Sequence, residues 1–259
     1  MIRELRLFLV AVQFLTRIPT PHLDDLPADW LARSGKYFPF VGALVGGLSA
    51  LVLVSAHIVW RSGPLPALLA LAASVLLTGA LHQDGLADTV DAFGGGQSPE
   101  QRLAIMKDPR LGTYGALALG FAEAIKVVTL TTLPVRLAAV GLICAHAGAR
   151  TAAVWTMSFQ PYATERDASK INAPQRRLHL WELAVTLTFT LALSMLLIKP
   201  AAAIACVAVA ALTSWLAACA SQARIDGHTG DVLGAVEQIY ELFFLLTLCG
   251  LSALGLLVR

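Results

Sequence analysis

Long apolar stretches alternate with short polar connections along most of this chain. Seven stretches contain few or no Asp, Glu, Lys or Arg residues and approach the length of about 20 residues that a helix needs to cross a bilayer. They cover residues 37–60, 62–81, 111–133, 135–157, 183–198, 201–220 and 242–258. Turn-forming residues such as Pro64, Pro134 and Pro200 lie at the junctions. The pattern predicts an all-α polytopic integral membrane protein with about seven hydrophobic spans.

The first 20 residues follow a different pattern. Apolar side chains recur at helical spacing on one side, and polar or cationic side chains recur on the other. The apolar set is Leu5, Phe8, Leu9 and Val12, and the polar set is Arg3, Arg6, Gln13 and Arg17. The apolar run is short and lacks a signal-peptide cleavage pattern. Residues 1–20 are therefore predicted to form an amphipathic helix that lies along the membrane interface.

The composition agrees with a membrane protein and excludes several other classes. Hydrophobic residues make up 57% of the 259 residues and charged ones 14%, and the mean hydropathy is +0.70. Soluble domains carry roughly 25% charged residues, so an ordinary soluble enzyme is excluded. The four cysteines lie in apolar stretches without metal-binding spacing, and a net charge of +2 gives no reason to expect a nucleic-acid partner. We expect one transmembrane catalytic domain over residues 1–259.

Lysine and arginine are distributed unequally between the two predicted sides of the membrane. Seven alternating spans place thirteen of the nineteen cations on the side of the N-terminus and four on the other side. The larger group is Arg3, Arg6, Arg17, Arg33, Lys36, Arg102, Lys107, Arg110, Arg166, Lys170, Arg176, Arg177 and Arg224. Cationic loops remain in the cytoplasm. The count predicts a cytoplasmic N-terminus and an external C-terminus.

The connection after the second span, residues 82–110, contains the densest acidic motif. Asp84, Asp88 and Asp91 are spaced i, i+4 and i+7, so on a helix their carboxylates share one face. Like charges at this spacing repel each other, and charge at a membrane edge is costly. Mg²⁺ prefers oxygen ligands and is typically held by one or two carboxylates together with substrate phosphates. We expect a Mg²⁺ site on this face; a solvated acidic helix end is the alternative.

The residues that follow this motif suggest phosphate binding. Gly94 and Gly95 belong to a triple glycine whose amides can approach an anion closely, although a plain loop is the simpler interpretation. Ser98 is predicted to cap a short helix, completed as a capping box three residues later. Lys107 and Arg110 then provide cations for a phosphate group.

A second polar connection, residues 221–235, precedes the last span and is predicted to lie on the same, cytoplasmic side. Thr229 or Asp231 is suited to cap the helix that follows. Glu237 and Glu241 are either further ligands or interfacial charges, and a plain inter-helix turn is the alternative for the whole segment.

Three ionisable residues, Glu123, Lys126 and Arg150, fall inside predicted spans. Ionisable groups at this depth face a cavity or pair with each other. Lys126 and Arg150 are candidate substrate contacts, and a Glu123–Lys126 pair is the competing interpretation. Gly42 and Gly46, four residues apart, predict close helix packing in the first span.

Two long motifs resemble the cobalamin synthase family. They are His-Gln-Asp-Gly-Leu-Ala-Asp-Thr-Val-Asp over residues 82–91 and Ile-Met-Lys-Asp-Pro-Arg-Leu-Gly-Thr-Tyr-Gly over residues 105–115. Residues 14–19, 37–42 and 229–235 also match, so the resemblance covers almost the whole chain. Asp226 departs from the family pattern, which has a glycine or a small residue at this position.

The resemblance implies a Mg²⁺-dependent, multi-pass enzyme of the bacterial cytoplasmic (inner) membrane, with its active site facing the cytoplasm. Such an enzyme joins adenosylcobinamide-GDP to α-ribazole or its 5′-phosphate late in cobalamin biosynthesis, giving adenosylcobalamin or its 5′-phosphate and GMP. Asp84 and Asp88 would hold one or two Mg²⁺ ions at the diphosphate. Asp231, brought close by helix packing, would be a further metal ligand. Asp91 would either complete a metal site or accept the hydroxyl proton. The partners are these two substrates and the lipid bilayer, with self-association left open.

Two other functions compete with this interpretation. A secondary transporter would use Glu123, Lys126 and Arg150 as a cation pathway, but no internal repeat is evident and the acidic motif lies at a membrane edge. A different Mg²⁺-dependent phosphotransferase would act on a nucleotide-activated lipid.

Overall fold

A computed structural model describes residues 2–21, 23, 29–163 and 178–257 of the chain. Within these ranges the chain forms eleven α-helices, and the only β-type pairing is a single bridge between Tyr162 and His228. The helices are α1 Ile2–Leu15, α2 Trp30–Ser34, α3 Phe38–Val59, α4 Leu65–Thr78, α5 Leu81–Gly95, α6 Pro99–Met106, α7 Thr113–Thr132, α8 Val135–Phe159, α9 Leu180–Leu197, α10 Pro200–Ile225 and α11 Gly230–Ala253. Five cations of the orientation count, Arg166, Lys170, Arg176, Arg177 and Arg259, lie outside the described residues.

The helices confirm an all-α polytopic membrane protein. Among the described residues six helical segments are long and apolar enough to cross a bilayer. They are Trp30–Val59, which joins α2 and α3, and the five helices α7 to α11. Helices α4 and α5 pass the same test only as a pair, and they meet at an angle of 90°. Counting this bent pair as one span gives the predicted seven.

The second predicted span is a broken helix, and the polar connection after it is largely helical. Helix α4 ends at Thr78, and the next two residues, Gly79 and Ala80, have left-handed backbones with φ of 65° and 62°. This conformation ends a helix because it cannot continue the i to i−4 hydrogen bonds, and it disfavours a residue with a Cβ such as Ala80. The acidic motif therefore lies on α5, which starts a new direction.

The last span begins earlier than the sequence suggests. Helix α11 starts at Gly230 rather than at residue 242, so it includes Glu237 and Glu241. Acidic side chains are expected outside a span because burial of an unpaired charge is costly. Both glutamates are buried and paired with cationic side chains, which removes this obstacle.

Helices α3 and α8 pack closely at the centre of the bundle. A Cβ atom at Gly42 would collide with the backbone of His146, and one at Gly46 would lie 2.6 Å from the backbone oxygen of Leu142. The small residues allow the two backbones to approach, as predicted for this glycine pair. The main apolar core extends from this contact to α7, α10 and α11.

Helix α1 confirms a helical N-terminus, but its apolar residues point in more than one direction. Leu7, Ala11 and Leu15 are buried against the rest of the protein, whereas Leu5 of the predicted apolar stripe is exposed. An ion pair of 2.8 Å between Glu4 and Lys36 attaches α1 to the segment before α3. The helix is thus held by protein contacts on one side and leaves apolar surface on the other.

The two ends of the bundle differ in the connections they gather. The α3–α4 and α7–α8 turns line the same small cavity at one end. At the other end Arg102 of α6 donates a hydrogen bond to the backbone oxygen of Arg224 in α10, at 3.0 Å. Thr229, between α10 and α11, contacts the sulfur of Met106 at 3.6 Å. The acidic motif and the second polar connection therefore lie at the same end.

The contact between α3 and α8 predicts opposite effects for two adjacent substitutions. Gly46→Ala should lower the free energy of unfolding by about 1–3 kcal/mol, because its Cβ overlaps the α8 backbone. Gly47→Ala is the control, since no atom outside its own stretch of helix backbone lies within 4 Å of its Cβ, and it should be neutral or stabilising by up to about 1 kcal/mol. Thermal unfolding of the two proteins in detergent measures the difference. Equal stability would contradict close packing at Gly46.

Candidate active site

The candidate site is built where α5 crosses α11 at two glycines. A Cβ atom at Gly85 would lie 2.6 Å from the backbone oxygen of Asp231, and one at Gly234 would lie 3.1 Å from that of His82. Without side chains at these two positions the helix backbones touch. Asp231 of α11 is thereby brought next to the acidic face of α5.

Four carboxylates are close enough at this crossing to affect each other. Asp84 is exposed, Asp88 is half-buried and Asp231 of the neighbouring helix is half-buried. The negative charges of Asp84, Asp231 and Asp91 all act on Asp88. Negative charges that are gathered in this way repel each other, and a bound cation relieves the repulsion. The prediction that Asp231 lies close to the aspartates of α5 is confirmed by this arrangement.

The acidic cluster is not a closed metal-ligand set. Across the described part of the chain, no three His, Cys, Asp or Glu side chains converge on one point in a way that would hold an ion. Mg²⁺ commonly uses only one or two carboxylates and takes its other ligands from water and substrate phosphates. The carboxylates of Asp84, Asp88 and Asp231 are of the right chemical type for such an open site.

Asp91 is buried and connects α5 to the start of α7. One of its carboxylate oxygens accepts a hydrogen bond of 2.7 Å from the amide of Gly112, and the other accepts one of 2.8 Å from the amide of Gly115. These amides are at the N-terminus of α7, where they have no partner within the helix. A Cβ at either glycine would collide with the carboxylate. Asp91 thus acts as a cap from a neighbouring helix, a role that the i, i+7 spacing does not reveal.

The triple glycine does not form a loop. Gly94 and Gly95 are the last residues of α5, where the backbone amides serve the helix. A Cβ at Gly94 would lie 2.7 Å from the ring of Tyr114, so this glycine makes room for an aromatic side chain. The expectation of a flexible turn or a plain loop at Gly94 and Gly95 was therefore wrong. Ser98 caps α6 as predicted, with its hydroxyl accepting from the amide of Gln101 at 3.3 Å.

The two predicted phosphate-binding cations, Lys107 and Arg110, lie beyond the end of α6. Lys107 is exposed and has no ion-pair partner within the described ranges. Arg110 is also exposed, and its Nη2 atom lies 2.5 Å from a carboxylate oxygen of Asp108. The guanidinium holds the pKa of Asp108 at about 2. Binding of a phosphate by Arg110 would therefore compete with this surface pair.

The loop between α10 and α11 is held firmly against the end of α8. Asp226 has a φ of 59°, a left-handed conformation that favours glycine and accounts for the small residue expected there. The hydroxyl of Ser221 donates to the backbone oxygen of Gly227 at 2.5 Å. The amide of Ala163, just after α8, donates to the backbone oxygen of His228 at 2.9 Å. Thr229 caps α11 by accepting from the amide of Val232. Burial lowers the pKa of His228 to about 4, so its ring is neutral near pH 7.

Lys126 and Arg150, predicted as substrate contacts, are enclosed in the bundle. Each side chain is only 1% exposed. Lys126 lies 3.3 Å from Glu123 and 3.3 Å from Glu241, so the competing Glu123–Lys126 pair is present. Arg150 contacts Glu237 at 3.1 Å and Glu241 at 2.5 Å. These contacts leave neither cation facing an open site.

A buried polar network, which sequence analysis did not predict, lies just below the acidic cluster. Its members are His82, Lys126, His146, Arg150, Glu237, Gln238 and Glu241. One signal in the sequence points to it. Glu237 and Glu241 in α11 are four residues apart, and so are His146 and Arg150 in α8, so each pair lies on one helix face.

The fold and the site together define the class of this protein. It is an all-α polytopic membrane protein with a carboxylate cluster at one end of its helix bundle. The model of the family cobalamin-5-phosphate synthase matches residues 7–249. The chain therefore belongs to this family, which confirms the resemblance seen in its motifs. No solved structure matches it.

Curated relatives match over nearly their whole length. A protein of Shewanella pealeana named adenosylcobinamide-GDP ribazoletransferase is 38% identical over 255 residues, which cover 96% of this chain and 98% of the relative. Proteins with the same name from Leptothrix cholodnii and Shewanella piezotolerans are each 40% identical. These alignments cover 93% and 96% of this chain and 94% and 98% of the relatives.

The capping contacts of Asp91 predict a loss of stability when the carboxylate is removed. Asp91→Ala should lower the free energy of unfolding by about 1–3 kcal/mol, because two amides at the start of α7 lose their acceptor. Asp91→Asn retains one oxygen and should lose less. Glu100→Ala removes an exposed carboxylate and serves as the control, and thermal unfolding in detergent is the measurement. Full stability combined with lost turnover in Asp91→Ala would instead favour the catalytic role predicted from sequence.

Proposed function

We propose that this chain is a Mg²⁺-dependent adenosylcobinamide-GDP ribazoletransferase. The activity is the one named for the curated relatives, with which the chain aligns over nearly its full length. The acceptor is α-ribazole or its 5′-phosphate, and the products are adenosylcobalamin or its 5′-phosphate and GMP. The observation that carries the proposal is the crossing of α5 and α11 at Gly85, which gathers Asp84, Asp88 and Asp231.

The reaction is a phosphoryl-type transfer in which one bond to phosphorus replaces another. The oxygen of a ribose hydroxyl of α-ribazole bonds to the phosphorus that carries the cobinamide arm. The bond from this phosphorus to the bridging oxygen of the diphosphate breaks, and GMP leaves with that oxygen. The hydroxyl proton passes to a base. Catalysis of this type depends mainly on positioning and on neutralising the phosphate charges.

The residues at the crossing fit a magnesium ion. Asp84, Asp88 and Asp231 offer only carboxylate oxygens, and their mutual repulsion is relieved by a divalent cation. When bound, Mg²⁺ would supply charge neutralisation at the diphosphate. Mg²⁺ takes most of its ligands from water and substrate phosphates, so an open group of carboxylates, with no three-residue cage among the described residues, suits it.

The other predicted residues contribute to the proposal unequally. Lys107 is exposed and free to neutralise a phosphate, and Arg110 has the same ability once it exchanges its partner Asp108. The capping contacts of Asp91 weigh against its use as a proton acceptor. Lys126 and Arg150 are assigned to the scaffold, because their charges are neutralised within the bundle.

The first test is the reaction itself. Protein purified in detergent should release GMP from adenosylcobinamide-GDP only when α-ribazole or its 5′-phosphate and Mg²⁺ are both present. Asp88→Asn should lower the turnover number by at least about 100-fold, because one of the three carboxylate charges assigned to the cation is lost. Glu100→Gln, which alters an exposed acidic residue of α6 outside the crossing, is the control. GMP release that needs no acceptor, or that uses a lipid alcohol instead, would refute the proposed substrate.

The proposal also places the acidic cluster at the cytoplasmic face of the inner membrane. The distribution of Lys and Arg supports this orientation, since cytoplasmic loops are enriched in cations. Gln97, between α5 and α6, and Ser62, between α3 and α4, are exposed at opposite ends of the bundle.

Cysteine labelling at these two positions tests the orientation. In a chain whose native cysteines are replaced by serine, Gln97→Cys should react with a membrane-impermeant maleimide in inverted inner-membrane vesicles but not in intact spheroplasts. Ser62→Cys should show the reverse pattern and serves as the matched control. The opposite result for both variants would place the active site outside the cytoplasm.

A further inference from the structure

The helix that carries the acidic cluster is attached to its neighbours by a buried histidine. His82 is two residues before Asp84, in the first turn of α5, and is 3% exposed. Its Nε2 atom lies 2.9 Å from a carboxylate oxygen of Glu237 in α11, and its Nδ1 atom lies 3.3 Å from Nη2 of Arg150 in α8. One side chain of α5 thus contacts two spanning helices.

The partners of His82 are themselves fixed. Nε of Arg150 lies 3.1 Å from the same glutamate oxygen that faces His82, and its Nη1 atom donates to Glu241 at 2.5 Å. His146, one turn before Arg150, lies 2.7 Å from that oxygen of Glu241. The two glutamates of α11 are therefore joined to α8 at two successive turns.

A cation from a fourth helix completes the network. Lys126 of α7 donates to Gln238 at 2.5 Å and to Glu241 at 3.3 Å. The two buried cations, Lys126 and Arg150, balance the charges of Glu237 and Glu241 in a setting from which water is largely excluded. Removal of a single partner leaves a charge uncompensated, so the network has a strong preference for one arrangement.

The backbone alone does not determine the direction of α5. The chain turns by 90° at Gly79 and Ala80, so α4 cannot transmit its orientation as a continuous helix would. At the far end of α5, Asp91 holds the start of α7. At the near end, the backbone of α5 touches α11 at Gly85, and the side chain of His82 adds contacts with Arg150 of α8 and Glu237 of α11.

We propose that His82 and Glu237 are positioning residues that orient the acidic face of α5 toward Asp231. The inference rests on the proposed function, because it concerns the geometry of the carboxylates assigned to Mg²⁺ and the diphosphate. Both residues are buried, and they act on the reaction through Asp84 and Asp88 rather than through contact with the substrate. The contact between His82 and Glu237 thereby fixes the position of the first turn of α5 along α11.

A pair of amide substitutions tests this role without a large change in size or polarity. The side-chain nitrogen of Gln reaches the position of the histidine Nε2 atom, whereas that of Asn reaches only the position of Nδ1. His82→Gln should therefore retain the contact with Glu237, and His82→Asn should lose it. We expect His82→Gln to stay within about threefold of the wild-type turnover number and His82→Asn to lose about 10- to 100-fold.

Binding of Mn²⁺, used as a spectroscopic substitute for Mg²⁺, provides a readout that does not depend on turnover. Electron paramagnetic resonance titration should show affinity about tenfold weaker in His82→Asn and nearly unchanged in His82→Gln. Thr190→Val is the control, because it removes a buried hydroxyl contact of 2.7 Å with Thr151 between α8 and α9, away from α5. This variant should lose thermal stability but keep both the Mn²⁺ affinity and the turnover number.

The outcomes separate the inference from the proposed function. Equal turnover and equal Mn²⁺ affinity in the Gln and Asn variants would overturn the positioning role. It would also be overturned if Thr190→Val, at a similar loss of unfolding temperature, lost as much turnover and Mn²⁺ affinity as His82→Asn. The proposed function fails by a different result, namely wild-type turnover and Mn²⁺ affinity in Asp88→Asn. A selective loss in His82→Asn with rescue in His82→Gln supports the inference.

Discussion

The close contact between α5 and α11 is the constraint on which the rest of the site depends. A helix surface normally carries side chains that keep the axes of packed helices about 8–10 Å apart. At Gly85 the backbone of Asp231 occupies the space of a missing Cβ, and at Gly234 the backbone of His82 does the same. Two carboxylate-bearing segments that are far apart in the sequence therefore become neighbours. The acidic cluster is a consequence of this contact, since α5 alone provides only one side of it.

The polar network below the cluster explains how a membrane-embedded bundle tolerates charge at this depth. An isolated ion among spanning helices is costly, but balanced and closely spaced partners offset much of that cost. Arg150 and Glu241 lie in spanning helices, and both are nearly inaccessible to solvent. The contacts that neutralise these charges therefore also fix the relative positions of α5, α7, α8 and α11.

Asp91 illustrates how one motif divides between two roles. The three aspartates of α5 look equivalent by spacing, yet Asp84 is exposed while Asp91 is buried under the start of α7. A helix N-terminus presents amides without partners, and a carboxylate satisfies them well. Glycines at 112 and 115 leave the space that this carboxylate fills. The acidic motif therefore includes two candidate metal ligands, Asp84 and Asp88, and one residue, Asp91, that caps a neighbouring helix.

The sequence by itself determined the features that depend on local pattern. Hydropathy identified the spanning helices, and helical periodicity placed the aspartates on one face. Side-chain chemistry identified the cap at Ser98 and narrowed the cap of α11 to Thr229 or Asp231. Only the tertiary structure decided which charges meet. The burial of Lys126 and Arg150 depends on helices that are distant in sequence. The same is true of the hydrogen bonds from the start of α7 to Asp91 and of the 90° angle between α4 and α5. Periodicity reports the face on which a side chain lies, but electrostatic pairing and close packing depend on what that face meets.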